Sequence, residues 1–164
     1  QGSRSQYLGA APFRNLRIKD TTQMRLIYEK PEDIVAERTA LDKACEVWKC
    51  VAEKLPMKYE LDYLLLREGK GVAWLEIKSR TNTRLAYPTY MISLGKIMAA
   101  RRLSEASQLP SFLLIQWSDA CGYIRIDSLL DFRTAVGGRT DRGDEQDIEP
   151  VAMIPVGEFA LLQD

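Results

Sequence analysis

Two acidic side chains and one lysine interrupt a pair of otherwise apolar predicted strands in the stretch ELDYLLLREGKGVAWLEIKSR, residues 60–80. They are Asp62, Glu76 and Lys78. A charge that is removed from water needs a partner, because burying it alone is costly. Glu76 and Lys78 are two residues apart, so in a strand both side chains point to the same face of the sheet. The three residues are therefore candidates for one polar site.

The position of Asp62 depends on how this predicted hairpin pairs. If the strands pair symmetrically around Gly69, Asp62 lies opposite Glu76. Facing Cβ atoms are then about 4.5–5.5 Å apart, and two carboxylates at that distance repel unless a proton or a cation lies between them. A register slip of one residue would instead place the two acids on opposite faces.

A hard divalent cation such as Mg²⁺ would relieve that repulsion, since it binds oxygen ligands and keeps several waters. The carbonyl of Ile77 offers a third oxygen. Lys78 would stand beside the metal, where it could orient or deprotonate a water or stabilise charge on a phosphate. The simpler alternative is a solvated hairpin face with cross-strand charge pairs, and the spacing alone leaves it open.

Composition narrows the chemistry further. The chain has 164 residues, of which 23 are basic, 23 are acidic and none is histidine. Serine or cysteine triads with histidine and histidine-ligated zinc are thus excluded. A net charge of zero means that any contact with nucleic acid must come from a local patch. Three cysteines without metal-ligand spacing favour a reducing compartment, and no apolar run predicts a membrane span, so we expect a cytoplasmic protein with no membrane partner.

The elements that position these residues are expected to form one domain over residues 23–164, preceded by a flexible segment at 1–22. In the first half, the pattern predicts an edge strand at 23–29, a helix from Pro31 to about Leu55, strands at 58–67 and 71–79, and a helix at 89–107.

The second half begins with a continuous apolar run at 111–118, which predicts a buried strand, and GYIRID is its expected antiparallel neighbour. SLLDFRTAV is predicted to be a short helix with Ser128 as its N-cap, and VAMIPV and EFALL are predicted late strands. The whole order indicates an α/β fold, with a central mixed sheet flanked by helices.

One acid of the first predicted helix lies where an apolar side chain is expected. Projected at 100° per residue, Ile34, Leu41 and several further apolar residues form one stripe, and Glu37 lies near its middle. A carboxylate that faces the core needs a partner. Glu37 either forms a buried salt bridge, or points to water at the helix end, or reaches the same metal site as Asp62 and Glu76.

A second group of residues could hold nucleic acid. Ser93 and Lys96 lie on one small or polar ridge of the second predicted helix, where Lys96 could bind a phosphate as a point charge. Arg80 and Arg84 follow the acidic motif, with Tyr90 and a further tyrosine nearby, and such a mixture fits phosphate contact and base stacking. The alternatives are an exposed lysine and an ordinary loop surface.

The acid on the first helix, the Asp in ELDY and the pair in LEIK together resemble the PD-(D/E)xK phosphodiesterase superfamily, the restriction-endonuclease-like nucleases. The resemblance covers about residues 31–127 and implies a core of the order α-β-β-β-α-β. The stretch YPTYMISLGKIMAARRL is similar to the helix that follows the motif in small, often phage-encoded members. Leu61 stands where the superfamily usually has proline, and only two of the three strands are apparent.

The resemblance implies a nuclease that hydrolyses DNA with Mg²⁺ or Mn²⁺ and metal-activated water, in a prokaryotic or phage-infected cell. It places the metal on Asp62, Glu76, the Ile77 carbonyl and Glu37, and makes Lys78 catalytic together with the acids. The implied nucleic-acid contacts are Arg80, Arg84, Tyr90, Ser93 and Lys96. Endonuclease, exonuclease and junction resolvase all stay open, as do an RNA substrate and a homodimer.

Two other classes of function compete with this one. A catalytically inactive module could keep the fold and bind nucleic acid or protein. A metal-dependent hydrolase of another phosphoester, such as a nucleotide, is a third option, but the sequence lacks a glycine-rich phosphate cradle.

Overall fold

The computed structural model describes residues 31–56, 59–130, 132–138 and 148–163, with side chains from Ile34 onwards. The segment 1–22 and the predicted edge strand at 23–29 lie outside the described residues. The helices are α1 (Pro31–Trp48) and α2 (Leu94–Ser107). The strands are β1 (Val51–Lys54), β2 (Tyr63–Arg67), β3 (Lys70–Ser79), β4 (Thr89–Ser93), β5 (Ser111–Gln116), β6 (Cys121–Arg125), β7 (Arg133–Gly138), β8 (Ile148–Pro155) and β9 (Ala160–Leu161).

These strands form two sheets. The larger has the order β1-β2-β3-β5-β6-β9, in which β3 and β5 run parallel and the other neighbours run antiparallel. The smaller is antiparallel, with the order β4-β8-β7. In the chain, α1 is followed by three strands of the larger sheet, β4 of the smaller sheet, α2 and β5, which confirms the expected α-β-β-β-α-β core with a mixed central sheet. Within the described residues, no helix is long and apolar enough to cross a membrane.

Helix α1 ends seven residues earlier than predicted, because a left-handed residue stops it. Lys49 has φ 53°. The amide of Cys50 donates to the Cys45 carbonyl and the amide of Lys49 to the Glu46 carbonyl, the bond pattern of a Schellman cap. The helix predicted to continue through Leu55 is therefore wrong over its last turns. The chain instead enters β1, the one of the three expected core strands that the sequence did not reveal.

The second predicted helix is also shorter than expected. Residues Thr89–Ser93 form β4, and the helix begins at Leu94 with Ser93 as its N-cap. In β4 the buried Tyr90 and Ile92 alternate with the exposed Met91, a period of two that indicates a strand. The strand pairs with β8, which lies about sixty residues further along the chain.

The short helix predicted at SLLDFRTAV is wrong. Ser128 lies in a bend, and Arg133–Gly138 form β7. Strand β7 pairs along its whole length with β8, the next strand of the chain, so backbone hydrogen bonds between strands replace the local helical ones. The two predicted late strands are confirmed as β8 and β9.

Strand β3 lies at the centre of the large sheet and its two faces differ. Leu75 and Ile77 pack with residues of α1 in one buried apolar cluster. Glu76 and Lys78 point to the other face, which α2 and the small sheet cover. The apolar face fixes the strand on α1, and the polar pair is thereby directed at α2.

Asp127, just after β6, joins two strands through its carboxylate. It accepts a hydrogen bond from the Ser111 amide at 2.8 Å and two-pronged hydrogen bonds from Arg125. Burial raises the pKa of this carboxyl, but the hydrogen bonds from Arg125 and Ser111 outweigh burial, so its pKa lies below the ordinary value. The ionised carboxylate is thus the form that stabilises the fold.

We expect Asp127→Asn to lower the free energy of unfolding by about 1–2 kcal/mol at pH 7. Because the folded-state pKa is depressed, this contribution is present above the ordinary pKa of about 3.9 and is lost as pH falls through the lower folded-state value. Urea unfolding at pH 7 and at acidic pH measures it. Asp42→Asn, which alters an exposed carboxylate, is the control. If the difference in unfolding free energy between Asp127→Asn and wild type did not become smaller at acidic pH, the account would be contradicted.

Candidate active site

The β2–β3 hairpin pairs in the predicted register at its inner end. Tyr63 faces Leu75, as expected for pairing around Gly69. A bulge after Leu65 shifts the register towards the turn, where Glu68 and Gly69 have φ values of 52° and 75°. Positive φ at both positions is typical of the tight two-residue turns that match strand twist. The bulge lies between the turn and the polar residues, and its one extra residue on β3 produces the predicted pairing of Tyr63 with Leu75.

Asp62 lies immediately before β2 and is held against the backbone of β3. Its amide donates to the Leu75 carbonyl at 3.0 Å, and its carboxylate accepts from the Ile77 amide at 3.1 Å. These two bonds flank Glu76. Burial raises the pKa of the Asp62 carboxyl, but the Lys78 ammonium and the Ile77 amide lower it further, so the net pKa lies below its ordinary value. Asp62 is therefore ionised and fixed in orientation.

Glu76 is fully buried, with 0% of its surface exposed. Its Oε2 accepts a hydrogen bond from Lys96 at 2.9 Å. Its Oε1 lies 2.8 Å from the Lys78 ammonium, but without the angles of a hydrogen bond, so this oxygen has a charge partner and no donor. A carboxylate in the interior is tolerated only with such compensation.

Lys78 joins the two acids. Its ammonium lies 2.8 Å from Glu76 and 3.5 Å from Asp62. Burial lowers the pKa of Lys78, but Glu76, Asp62 and the more remote Glu37 together raise it well above the ordinary lysine value. Lys78 is thus a fixed cation in this arrangement. It is suited to stabilising negative charge.

Lys96 of α2 contacts the same buried acid. It donates to Glu76 and, at 3.0 Å, to the Glu60 carbonyl. Ser93 caps α2 by accepting from the Gly95 amide, and its hydroxyl donates to Glu149 at 2.6 Å. A phosphate contact by Ser93 would have to replace that last bond, so its role with nucleic acid stays a prediction.

Glu37 does not join the two strand acids in one cluster. It is half-buried on α1, which covers the opposite face of β3, and it influences the site through its charge on Lys78. Across the part of the chain that the structure describes, no group of three or more acidic or cysteine side chains is close enough to hold a metal ion. Direct metal binding by Glu37 therefore stays a prediction.

The donor set nevertheless suits a hard divalent cation. Two oriented carboxylates, Asp62 and Glu76, converge on one ammonium group, and Glu76 Oε1 is a buried oxygen without a hydrogen-bond donor. Mg²⁺ is commonly bound by only one or two carboxylates and otherwise keeps its waters. The residues present fit that requirement without a third acid.

The predicted nucleic-acid contacts have mixed outcomes. Tyr90 is only 5% exposed and packs edge-on against Trp117 and Phe159, so its ring cannot stack on a base as expected. Arg84 donates to the Val156 carbonyl at 2.8 Å and thus ties down the end of the small sheet. Arg80 places its guanidinium 5.0 Å from the centre of the Tyr90 ring. Phosphate binding by the two arginines stays a prediction.

Sequence reasoning missed several partners of the site. Lys54 of β1 lies 3.7 Å from Asp62. The sequence pattern had placed Lys54 in the first helix, which in the structure ends at Trp48. Glu60 pairs with Arg102 and so links the loop before Asp62 to α2. No local pattern signals these contacts, because each joins segments that are distant in sequence.

Comparison with known proteins identifies a protein family for this chain. Residues 23–162 match the model of a protein family described as "Phage putative PDDEXK endonuclease". Among solved structures, the chain is similar to Hjc, a Holliday junction resolvase of Archaeoglobus fulgidus, with 9% identity, a TM-score of 0.48, and coverage of 74% of this chain and 94% of that one. The search of curated proteins finds no match. Because the family model spans most of the sequence and the Asp62, Glu76 and Lys78 site, this chain belongs to the phage PDDEXK endonuclease family.

Proposed function

We propose that the protein is a divalent-metal-dependent nuclease that hydrolyses phosphodiester bonds of DNA in a prokaryotic or phage-infected cell. One observation supports this more than any other. Asp62 and Glu76, which are fourteen positions apart in sequence, direct their carboxylates at the same ammonium group of Lys78. Family membership makes phosphodiester cleavage the natural use of that arrangement.

Each residue of the site has a distinct task in this proposal. A Mg²⁺ or Mn²⁺ ion on Asp62, Glu76 and the Ile77 carbonyl would lower the pKa of a coordinated water and offset charge on the phosphate. Lys78, as a fixed cation, stabilises the negative charge that develops on the phosphoryl oxygens. Lys96 orients Glu76 in the interior by donating a hydrogen bond to it.

Charge near the site favours an anionic substrate. Three lysine ammonium groups, on Lys54, Lys78 and Lys96, lie within 3.7 Å of the two carboxylates. Because the charge of Glu37 also acts on Lys78, these acids and lysines balance, and a bound divalent cation would supply the net positive charge that attracts phosphate.

The competing proposal is a module with this fold that only binds. Burying Glu76 completely and supplying it with two lysines costs desolvation energy that a hydrophobic residue of similar size would avoid. A surface that only binds does not need that buried acid. The intact set therefore favours catalysis.

The test is a cleavage assay on labelled single-stranded, duplex and branched DNA and on matched RNA, with Mg²⁺, Mn²⁺ or EDTA. Wild type is compared with Asp62→Asn, and Asp42→Asn serves as a matched control on the exposed side of α1. We expect metal-dependent cleavage of DNA by wild type and the control, and a loss of at least about a hundredfold in Asp62→Asn. Tight binding without cleavage by any of the three proteins would favour the module, and cleavage in EDTA would contradict the metal site.

A further inference from the structure

A pocket of about 330 Å³ lies beyond the C-terminal end of β3. Its walls combine cationic, polar and aromatic side chains, among them Arg80, Asn82, Arg84, Tyr87, Tyr90 and Met91. The pocket is separate from the pair of acids but adjoins it through β3 and β4.

Arg80 links the pocket to the candidate active site. It follows Lys78 by two residues, and its amide donates to the Gln116 carbonyl at 2.7 Å, which extends the β3–β5 pairing beyond Ser79. The extended backbone places Arg80 on the face that carries Glu76 and Lys78. Alternate residues of a strand are about 6.6 Å apart, which is comparable to the distance between neighbouring phosphates of one nucleic-acid strand. A strand with one phosphate at Lys78 can therefore place the next at Arg80.

The charge of the pocket favours an anion. Arg80 and Arg84 are the only charged side chains among its described lining residues. Arg84 is fixed by its bond to the Val156 carbonyl, and its buried Nε lacks an acceptor. The nearby carboxylate of Asp119 accepts from the Arg84 backbone amide. Two positioned guanidinium groups suit a phosphate.

The rest of the wall suits a base and a sugar. Tyr87 is 63% exposed at the pocket, and Met91 is partly exposed beside it. An exposed aromatic face can stack on any base. The volume is at the low end of the range for ligand sites and is comparable to that of one nucleotide.

We propose that this pocket binds one unpaired nucleotide next to the scissile phosphate, with its phosphate on Arg80 and Arg84 and its base on Tyr87. The inference rests on the proposed nuclease function and adds the class of substrate, namely DNA with an unpaired nucleotide beside the cleavage point. The unpaired nucleotide could lie at a strand end or within a strand, and the chemistry of recognition is the same in both.

The test measures binding separately from cleavage, by fluorescence anisotropy in Ca²⁺ with rates in Mg²⁺ recorded in parallel. Three labelled DNAs of one sequence are used: a blunt duplex, a duplex with one unpaired 5′ nucleotide, and a duplex with one internal unpaired nucleotide. The pocket variants are Tyr87→Ala and Arg80→Gln. Their controls are Leu85→Ala, which alters an exposed residue of the same loop outside the pocket, and Arg125→Gln on β6.

We expect wild type and both controls to bind at least one unpaired DNA about tenfold more tightly than the blunt duplex, and Tyr87→Ala to lose that preference. Arg80→Gln should weaken binding to the same DNA. Tighter binding of the duplex with an unpaired 5′ nucleotide would indicate recognition of a strand end. Tighter binding of the duplex with an internal unpaired nucleotide would indicate recognition within a strand. Equal affinity for all three DNAs, no measurable binding, or an undiminished preference in Tyr87→Ala would overturn the pocket assignment. If the pocket assignment fails but wild type still cleaves DNA, the proposed nuclease function is retained. If wild type prefers an unpaired DNA but does not cleave it, the nuclease function is rejected and the pocket assignment is retained.

Discussion

Replacing Glu76 by glutamine is expected to lower the rate of metal-dependent DNA cleavage by about a thousandfold or more. The amide keeps the volume of the side chain but removes the negative charge that orients Lys78 and Lys96 and that would hold the proposed divalent cation. Losing about 4 kcal/mol of transition-state stabilisation corresponds to that factor. Single-turnover cleavage of a labelled oligonucleotide over a range of Mg²⁺ concentrations measures it.

The same substitution should also reduce stability, because two lysines lose their buried counter-charge. We expect Glu76→Gln to lower the free energy of unfolding by about 2–3 kcal/mol, which urea unfolding without metal would show. Circular dichroism under the assay conditions ensures that activity is compared between folded proteins. Glu105→Gln, an exposed change on α2, is the control. A folded Glu76→Gln protein with wild-type cleavage would exclude Glu76 from the reaction.

Replacing Lys78 by methionine is expected to separate catalysis from metal binding. Removal of a fixed cation that faces the phosphate should cost about a hundredfold to a thousandfold in cleavage rate. In the same variant Mn²⁺ should bind at least as tightly as in wild type, since the ammonium no longer competes for the oxygens of Asp62 and Glu76. Calorimetric Mn²⁺ titration and the rise in Tm that Mn²⁺ produces measure this second effect.

Lys70→Met, an exposed change on the same strand, is the control for Lys78→Met. The carboxylates of Asp62 and Glu76 repel once the ammonium is gone, so the variant should be less stable without metal and gain more from Mn²⁺ than wild type does. A loss of Mn²⁺ binding together with activity would instead indicate that Lys78 only maintains the structure.

The hairpin that carries the motif could be predicted from sequence because its determinants are local. The alternation of Leu75 and Ile77 with Glu76 and Lys78 fixes the faces of β3, and Gly69 marks the turn. The bulge after Leu65, which the sequence does not signal, then sets the register that brings the acids together. The α-β-β-β-α-β order followed from the family resemblance more than from the patterns.

Errors in the elements had physical causes that a local pattern does not show. Helix α1 ends at a left-handed lysine, Lys49, where glycine would have marked the end. Strand β7 depends on pairing with β8, the next strand of the chain, and a pattern confined to residues 128–136 does not show that pairing. For β4, by contrast, the alternation of buried and exposed residues around Tyr90 could be seen in the sequence, but these residues were assigned to the helix that follows them.

Within the site, the parts that could not be predicted are tertiary contacts. Lys96 reaches Glu76 only because α2 packs across the polar face of β3. Tyr90 is buried because the small sheet covers that face, which reverses the expectation of a stacking surface. Glu37 was placed correctly on a helix that contacts the sheet, but α1 lies on the other face from Glu76.

The central claim is that Asp62 and Glu76 form a metal site. Its most direct test is a titration of wild type and of Asp62→Asn with Mn²⁺, in which the electron paramagnetic resonance signal of the free ion measures binding. If Asp62 and Glu76 form the metal site, wild type binds Mn²⁺ and Asp62→Asn loses that binding, while Asp42→Asn on the exposed side of α1 retains it. Undiminished Mn²⁺ binding by a folded Asp62→Asn protein, or no binding by wild type, would contradict the account.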